Sequence, residues 1–332
     1  MSRRLILALT LAATIVAVLA GPSGSQAAPG SLRVLVVANS LEPALPPAIA
    51  ATPGIGTVDT FDSFSGTPSA ATLATYDLVV GTGDSSYQDP VLWGDRLADF
   101  LDAGGAELQF AYDNWEDEGA HPTGRFESGG YPPFIPGNND NDATTLGTIL
   151  VPSSPLLTGV VSMNTTNNTT DAVAPGATLL AKWADDRNAI ATKGQVVSVT
   201  AAPETGEFSP FSAAGQLAVN TGNVLGPRTL SVTKAGRGKG KVTSSPSRID
   251  CGATCAANFG GGTTVTLKAT PAKGKGKFSG WSGDCTGKST CTVAMNSAAR
   301  AVTATFSQKC KKKKKHKRSA ESAKKKCKKK KR

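Results

Sequence analysis

The stretch LRVLVVA, from Leu32 to Ala38, decides the fold of the long N-terminal part of the chain. An almost continuous apolar run of this length is typical of a β-strand that is buried on both faces. Two similar runs follow, YDLVVG at Tyr76–Gly81 and AELQFA at Ala106–Ala111, with a helical pattern from Asp89 to Ala103 between them. Strands that alternate with helices predict an α/β domain with a doubly wound, mostly parallel sheet.

Further strands are predicted near the end of this domain. Ala177–Trp183, Ala189–Ala191 and Gln195–Val199 are rich in β-branched and apolar residues, and short polar turns separate them. Because the turns are short, these strands are expected to run antiparallel, as an addition at one edge of the sheet.

The order of these motifs resembles the class I glutamine amidotransferase-like superfamily, and in particular its ThuA-like branch. The resemblance is carried by Leu32–Ala38, Tyr76–Gly81, the helix–Gly–Gly–strand unit Trp93–Phe110, Pro155–Val160 and the strand set Leu179–Val199. It implies a flavodoxin-like sheet and a nucleophilic Cys at the turn after Ala106–Ala111. This chain has no Cys before Cys251, and its one His in the domain, His121, comes too early for the partner role. A thiolate mechanism needs the thiol and a base, so we predict a domain that is not an amidotransferase and, more generally, not an enzyme.

A ligand site is expected where the parallel strands end, because open α/β sheets bind ligands beyond the carboxyl ends of their strands. Carboxylates, amides and aromatic rings at this rim suit a carbohydrate or another polyhydroxylated ligand. The predicted ligand-binding residues are Asn39, Asp84, Tyr112, Asp113, Asn114, Trp115, Glu116 and His121. The polar excursion 113–142 is expected to lie over them.

Three alternatives to this binding site stay open at the level of sequence. The acidic loops are typical of plain solvated surface. The run Asn138–Asp142 offers oxygen ligands for calcium, although without EF-hand spacing. Asp113 paired with Glu116 or Asp117 could serve a secreted carbohydrate-active hydrolase. No cofactor or metal motif is present, and none is predicted.

The N-terminus has the features of a secretory signal peptide. Arg3 and Arg4 precede the apolar run Leu5–Ala20, and small residues then provide a cleavage site after Ala27 or Ala28. The predicted location is therefore extracellular, in association with the cell envelope. An uncleaved membrane anchor is the alternative.

Charge divides the chain into regions of opposite sign. The net charge is +11, yet residues 29–228 hold 22 acids and 7 bases, whereas residues 229–308 hold 2 acids and 11 bases. The last 24 residues, Lys309–Arg332, hold 16 bases and 1 acid. A block of like charge this dense predicts a disordered, solvated arm that binds polyanions.

Residues 228–308 are predicted to form a small all-β module, because short Thr- and Val-rich strands alternate with Gly-rich turns. All six cysteines lie at or after Cys251. In an exported chain the close pairs Cys251/Cys255 and Cys285/Cys291 predict disulfides, and a four-Cys zinc site is the alternative. The pattern resembles the bacterial repeat module related to the internalin B-repeat, which implies a spacer or adhesive unit without catalytic residues. Phe278 and Trp281 are then expected to be core residues.

The predicted organisation is a signal peptide (1–28), an acidic α/β domain (29–227), a basic β module (228–308) and a Lys-rich tail (309–332). The predicted function is a non-catalytic, ligand-binding cell-envelope protein. Its partners would be an anionic cell-wall polymer or membrane surface, bound through the tail, and a carbohydrate. Extracellular nucleic-acid binding through the basic tail is a further alternative. It would be nonspecific, because the tail has no aromatic residue to stack on bases.

Overall fold

The computed structural model describes residues 31–83, 85–111, 119–252, 254–296 and 299–308. The predicted signal peptide and the Lys-rich tail both lie outside these residues. Within the described residues, no helix combines the length and the apolar character needed to cross a membrane.

The first 226 residues contain most of the elements. The strands are β1 (Leu32–Ala38), β2 (Ile55–Asp62), β3 (Leu78–Thr82), β4 (Ala106–Phe110), β5 (Phe134–Ile135), β6 (Asn139–Asp140), β7 (Thr144–Ile149), β8 (Asn164–Thr165), β9 (Asn168–Thr169), β10 (Ala172–Val173), β11 (Thr178–Trp183), β12 (Asn188–Lys193), β13 (Val196–Val199) and β14 (Phe208–Ser209). The helices are α1 (Leu45–Ala50), α2 (Ala70–Leu73), α3 (Pro90–Asp102), α4 (Gly124–Ser128) and α5 (Phe211–Leu225), with a 3₁₀ turn at Pro155–Leu157.

One mixed sheet organises this region. Its ten strands follow the order β14-β8-β7-β11-β12-β13-β4-β3-β1-β2. The pairs β2–β1, β1–β3, β3–β4 and β4–β13 are parallel. From β13 onward every pair is antiparallel. Small two-stranded sheets, β5–β10 and β6–β9, complete the region.

The prediction of a flavodoxin-like, mostly parallel α/β fold is therefore wrong. Strands make up 42% and helices 17% of the structure, and half of the large sheet is antiparallel. The reason lies between Ala111 and Ser209, where the described residues contain one α-helix, the five-residue α4. Thr- and Asn-rich segments in this stretch form short strands that extend the sheet, where a doubly wound fold needs crossover helices.

Both faces of the parallel strands are buried. Val34, Val36 and Leu108 point toward α1 and α5, whereas Leu35 and Val79 point toward α3, whose Trp93 and Leu97 are fully buried. This explains the continuous apolar runs, because a strand covered on both sides needs apolar residues at every position. The predicted strands β11, β12 and β13 are confirmed, but β13 pairs with β4 and so lies inside the sheet.

The cysteine-containing part is a two-layer β module. Its strands are β15 (Pro227–Ala235), β16 (Gly240–Ser245), β17 (Ala256–Gly260), β18 (Thr264–Pro271), β19 (Lys277–Gly283), β20 (Cys291–Ala294) and β21 (Arg300–Ser307). They form a four-stranded sheet, β17-β15-β21-β19, and a three-stranded sheet, β16-β18-β20. The first and last strands, β15 and β21, are parallel neighbours.

The core of this module contains the predicted aromatic residues. Trp281 is 5% exposed, and Phe278 packs against it with ring centroids 5.0 Å apart. Disulfides join Cys251 to Cys255 and Cys285 to Cys291, as predicted. These bonds stabilise a small core because they restrict the unfolded chain.

The two folded parts touch each other directly. Helix α5 ends at Leu225 and β15 begins at Pro227. The backbone N–H of Gly261 donates to the carbonyl oxygens of Leu225 and Gly226, at 2.7 and 3.0 Å. The module is therefore packed against the first domain at this junction.

Candidate functional site

The carboxyl ends of the parallel strands form a rim whose loops are joined by backbone hydrogen bonds. The N–H of Ser63, after β2, donates to Ala38 O at the end of β1, at 2.9 Å. The N–H of Gln88, in the loop after β3, donates to Ser63 O at 2.9 Å. The N–H of Tyr87 donates to Gly119 O at 2.8 Å, which brings in the excursion after β4. The rim is therefore a connected surface.

Asn39 lies on this rim but uses its side-chain amide within the protein. Its Oδ1 accepts a hydrogen bond from Ser85 N at 3.2 Å, and its Nδ2 donates to Ser85 O. Gly83 is required beside it, because a Cβ there would lie 1.8 Å from Asn39 Oδ1. Asn39 thus fixes the loop after β3, and its role toward a ligand stays a prediction.

The other predicted ligand-binding residues divide into two groups. His121 is described and half-buried, next to buried Ala120 and Pro122 in the loop before α4. Asp84, Tyr112, Asp113, Asn114, Trp115 and Glu116 lie outside the described residues, as does Asp117 of the hydrolase alternative. Their roles stay predictions.

One described part of the excursion, residues 125–131, packs away from the rim, and the placement of the whole excursion over the rim stays a prediction. Arg125 forms ion pairs with Asp99 and Asp102 in the last turn of α3, at 2.5 and 2.6 Å. Tyr131 donates a hydrogen bond to Asp102 Oδ1 at 2.8 Å. Since α3 starts at the rim and runs back along the sheet, these contacts hold the excursion against the side of the domain.

A second group of polar side chains lies at the rim where the parallel strands end, and the sequence did not reveal it. Arg187, in the turn between β11 and β12, donates to Asn168 Oδ1 at 2.6 Å, to Asp185 Oδ2 at 2.5 Å and also to Asp140. The hydrogen bond from Arg187 holds the pKa of Asp185 at about 2, although partial burial acts in the opposite direction. With these acceptors engaged, Arg187 joins β6, β9 and the turn between β11 and β12 into one surface.

Asp171 is the buried acid of this region. It is 3% exposed, and its Oδ1 accepts a hydrogen bond from Gly137 N at 2.9 Å. Its Oδ2 has no hydrogen-bond partner among the described residues. Burial raises the pKa of Asp171 to about 7, even though the Thr169 hydroxyl and the Gly137 amide favour the charged form. The carboxyl is therefore largely protonated in mildly acidic solution.

A cavity of about 390 Å³ lies where β7, β8 and β14 meet. Its lining residues include hydroxyl and amide side chains, one carboxylate and one aromatic ring, and more of its surface is apolar than polar. The lining residues are Ala143, Thr144, Thr145, Asn164, Thr165, Thr166, Gly206, Glu207, Phe208 and Ser209. The cavity has the volume of a small-molecule site and donors and acceptors suited to hydroxyl groups.

No metal centre is formed by the described residues, since they contain no group of three or more His, Cys, Asp or Glu placed to hold an ion. The calcium alternative at Asn138–Asp142 loses its main ligand, because Asp140 is paired with Arg187. The zinc alternative is also wrong for the β module, where the four cysteines form the two disulfides.

Comparison with known families agrees with the β module. Residues 230–310 match the family described as the divergent InlB B-repeat domain. The resemblance of the module to internalin B-repeats is thus confirmed. Comparison with curated proteins gives no match.

Solved structures resemble the first part of the chain at low identity. A cytoplasmic protein STM3548 from Salmonella typhimurium has 13% identity and a TM-score of 0.45, over 57% of this chain and 98% of its own. A ThuA-like protein from Bacteroides uniformis has 11% identity and a TM-score of 0.42, over 61% of this chain and 94% of its own. Scores this low have no bearing on function.

The cavity was missed because its residues come from three distant stretches. The notable Asn/Thr run at Asn164–Thr170 has no periodicity that marks a binding site. The Gly206–Ser209 wall is a short bend that the sequence does not distinguish from other loops. A repeated Asn–Thr pattern beside edge strands is the one signal that could have indicated it.

Proposed function

We propose that this chain is an exported, non-catalytic bacterial cell-envelope protein. Its first domain would bind a polar, hydroxyl-bearing ligand, and its Lys-rich tail would attach the protein to anionic envelope polymer. The observation that carries the proposal is the direct succession of a disulfide-linked B-repeat module and 16 bases in 24 residues.

The module supports a location outside the cytoplasm. Disulfides persist in oxidising compartments and are rare in reducing ones. The B-repeat match and the two disulfides are therefore compatible with an extracellular or cell-surface protein. The apolar run at Leu5–Ala20, with basic residues before it, supports export of the chain.

The cavity between β7, β8 and β14 supports a carbohydrate-type ligand. Thr145, Asn164 and Ser209 are exposed and offer hydroxyl and amide groups that can exchange hydrogen bonds with sugar hydroxyls. Glu207 is held at the cavity by a hydrogen bond from Asn167 Nδ2 to its Oε2, at 3.0 Å. An acceptor fixed in this way adds orientation to the site.

We also propose that the first domain is a distant, nucleophile-free relative of ThuA-like proteins. The chain order of its strands and the helix–Gly–Gly–strand unit Trp93–Phe110 support this relationship. The absence of any Cys before Cys251 supports a binding role, since thiolate chemistry needs that side chain.

Retention at the envelope tests the role of the tail. We expect wild-type protein to remain with the cell-envelope fraction and to be released by high salt, because charge contacts are screened. A variant in which an uncharged Ser/Gly segment of equal length replaces residues 309–332 should appear in the medium. Equal retention of both proteins in low salt would show that the tail does not attach the protein.

A glycan-array screen of the full chain tests the ligand class. The wild type is compared with Thr145→Val, which keeps the side-chain volume but removes the hydroxyl of an exposed residue from the cavity wall. As a control we use Thr57→Val, on the edge strand β2 and remote from the cavity. We expect a glycan signal that Thr145→Val weakens and the control retains. A signal that is lost or kept equally in both variants would contradict a carbohydrate site here.

A further inference from the structure

One end of the β module carries two Gly- and Lys-rich loops. The first, GRGKG at Gly236–Gly240, joins β15 to β16, and the second, KGKGK at Lys273–Lys277, leads into β19. Glycine alternates with a base in both. The left-handed backbone at Gly236 (φ 89°) and Gly274 (φ 73°) explains two of the glycines.

Close backbone packing explains others. Lys239 N donates to Lys275 O at 3.3 Å, and Ala272 N donates to Lys239 O at 2.8 Å. A Cβ at Gly276 would lie 2.1 Å from Lys239 O. The two loops therefore touch through their backbones, and their long side chains are left to extend outward.

The last described strand ends at the same place. Gly238 N donates to Phe306 O at 2.8 Å, and Ser307 pairs with Lys277 at the start of β19. Ser307 and Gln308 are exposed, and the Lys-rich segment begins at the next residue, Lys309. The tail is thus attached to the end of the module that holds these loops.

The positive charge at this end of the module is not balanced by acidic residues nearby in the sequence. Arg237, Lys239, Lys273, Lys275 and Lys277 are all exposed. No acid occurs in residues 234–249 or 264–283. The two loops are in direct backbone contact, so a single extended polyanion can reach the charges of both.

We propose that these five side chains form a folded polyanion-binding surface, which we call the basic tip, and that it binds the same polymer as the tail. This inference rests on the proposed function and extends it. The basic tip would give the polymer a fixed binding point beside the tail, because its loops are held by the module's backbone hydrogen bonds.

The chemistry of the basic tip indicates a flexible polymer with phosphate or carboxylate groups along its length. Four of the five bases are lysines, which bind anions as point charges and do not require a planar, two-oxygen partner. Residues 234–241 and 271–277 contain no aromatic side chain. Bases of single-stranded nucleic acid would thus find no stacking surface here.

The experiment measures binding of the full chain to inorganic polyphosphate and to polyglutamate over a range of salt concentrations. The test variant is Lys273→Gln/Lys275→Gln, and the matched control is Lys268→Gln/Lys288→Gln, two exposed lysines outside these loops. Each variant is also made without residues 309–332. Thermal unfolding confirms that the variants fold.

We expect the test variant to bind both polyanions more weakly than the wild type. A plot of log K against log salt concentration should also become less steep by about 1.4, because each of the two lost contacts contributes about 0.7 to its slope. The control should match the wild type. The tail-deleted chain should keep weak, salt-dependent binding that the test variant loses. The ratio of polyphosphate to polyglutamate binding distinguishes the two anion sources.

Two results would overturn the inference without touching the tail's role: test and control variants that behave alike, or a tail-deleted chain that does not bind. Preference for single-stranded DNA over polyphosphate of equal charge would also overturn it, in favour of a nucleic-acid surface. A full chain that binds no polyanion even at low salt would instead remove the proposed function itself.

Discussion

Replacing the buried acid Asp171 with asparagine should change how the stability of the protein depends on pH. The carboxyl has an ordinary pKa of 3.8, and burial raises it to about 7 in the folded protein. The folded state therefore holds its proton more tightly than the unfolded state. The resulting contribution to stability is complete below pH 3.8 and is lost as the pH rises through about 7.

The magnitude follows from the size of the pKa change. A difference of one in pKa corresponds to about 1.4 kcal/mol. The rise from 3.8 to about 7 thus gives a loss of roughly 4 kcal/mol between pH 4 and pH 8, as an order of magnitude. In the Asp171→Asn variant the side-chain amide would stay neutral at every pH, and its oxygen can still accept the hydrogen bond that Gly137 N now donates to Asp171.

The assay is urea unfolding of the full chain at a series of pH values from about 3.5 to 8.5, followed by tryptophan fluorescence. We expect Asp171→Asn to have nearly the stability of the wild type at the acid end and to be more stable by several kcal/mol at the alkaline end. The control Asp186→Asn removes an exposed carboxylate whose ion pair with Lys182 is a surface pair and contributes little. Stability curves of Asp171→Asn and wild type that run parallel over the whole range would refute the reasoning.

Three further changes have definite expected outcomes. Gly94→Ala should lower the melting temperature by several degrees, because its Cβ would lie 1.8 Å from the carbonyl oxygen of Thr123 and force the backbone apart; an unchanged melting curve would contradict this packing. Replacing both Cys285 and Cys291 with Ala should lower the free energy of unfolding by about 2 kcal/mol, as measured in urea. Reductant should then destabilise this variant less than it destabilises the wild type. Arg187→Gln should cost about 2 kcal/mol at pH 7 through lost charge-assisted hydrogen bonds. The stability difference between this variant and the wild type should shrink below pH 3.8, because Asp185, with a pKa of about 2, then takes up its proton. A stability difference that persists at pH 2 would count against this pairing.

The sequence was sufficient to predict elements whose pattern is local. β1, β3 and β4 are continuous apolar runs, and α3 has a helical pattern that ends before Gly104. The disulfides also follow from local spacing, since each joins cysteines four or six residues apart. These features need no knowledge of distant residues.

What could not be predicted depends on residues far apart in the chain. β8 and β14 have two residues each, and they are strands because Phe208 pairs with Thr165. Arg187 reaches Asp140, 47 residues away, and nothing near either residue marks the pair. The prediction of a mostly parallel sheet failed for this reason, and the cavity was not recognised for the same reason. Edge strands this short have no periodicity to detect.

The parallel pairing of β15 with β21 also determines how the module responds to tension. The chain enters at Pro227, at one end of β15, and leaves at Ser307, at the opposite end of β21. A pull between the first domain and an anchored tail would therefore act along both strands in opposite directions. The pairs from Leu230–Arg300 to Ala235–Thr305 would be loaded in shear, all at once, and could not open one after another. A protein held by its tail against flow would thus carry the load through the parallel pair β15–β21.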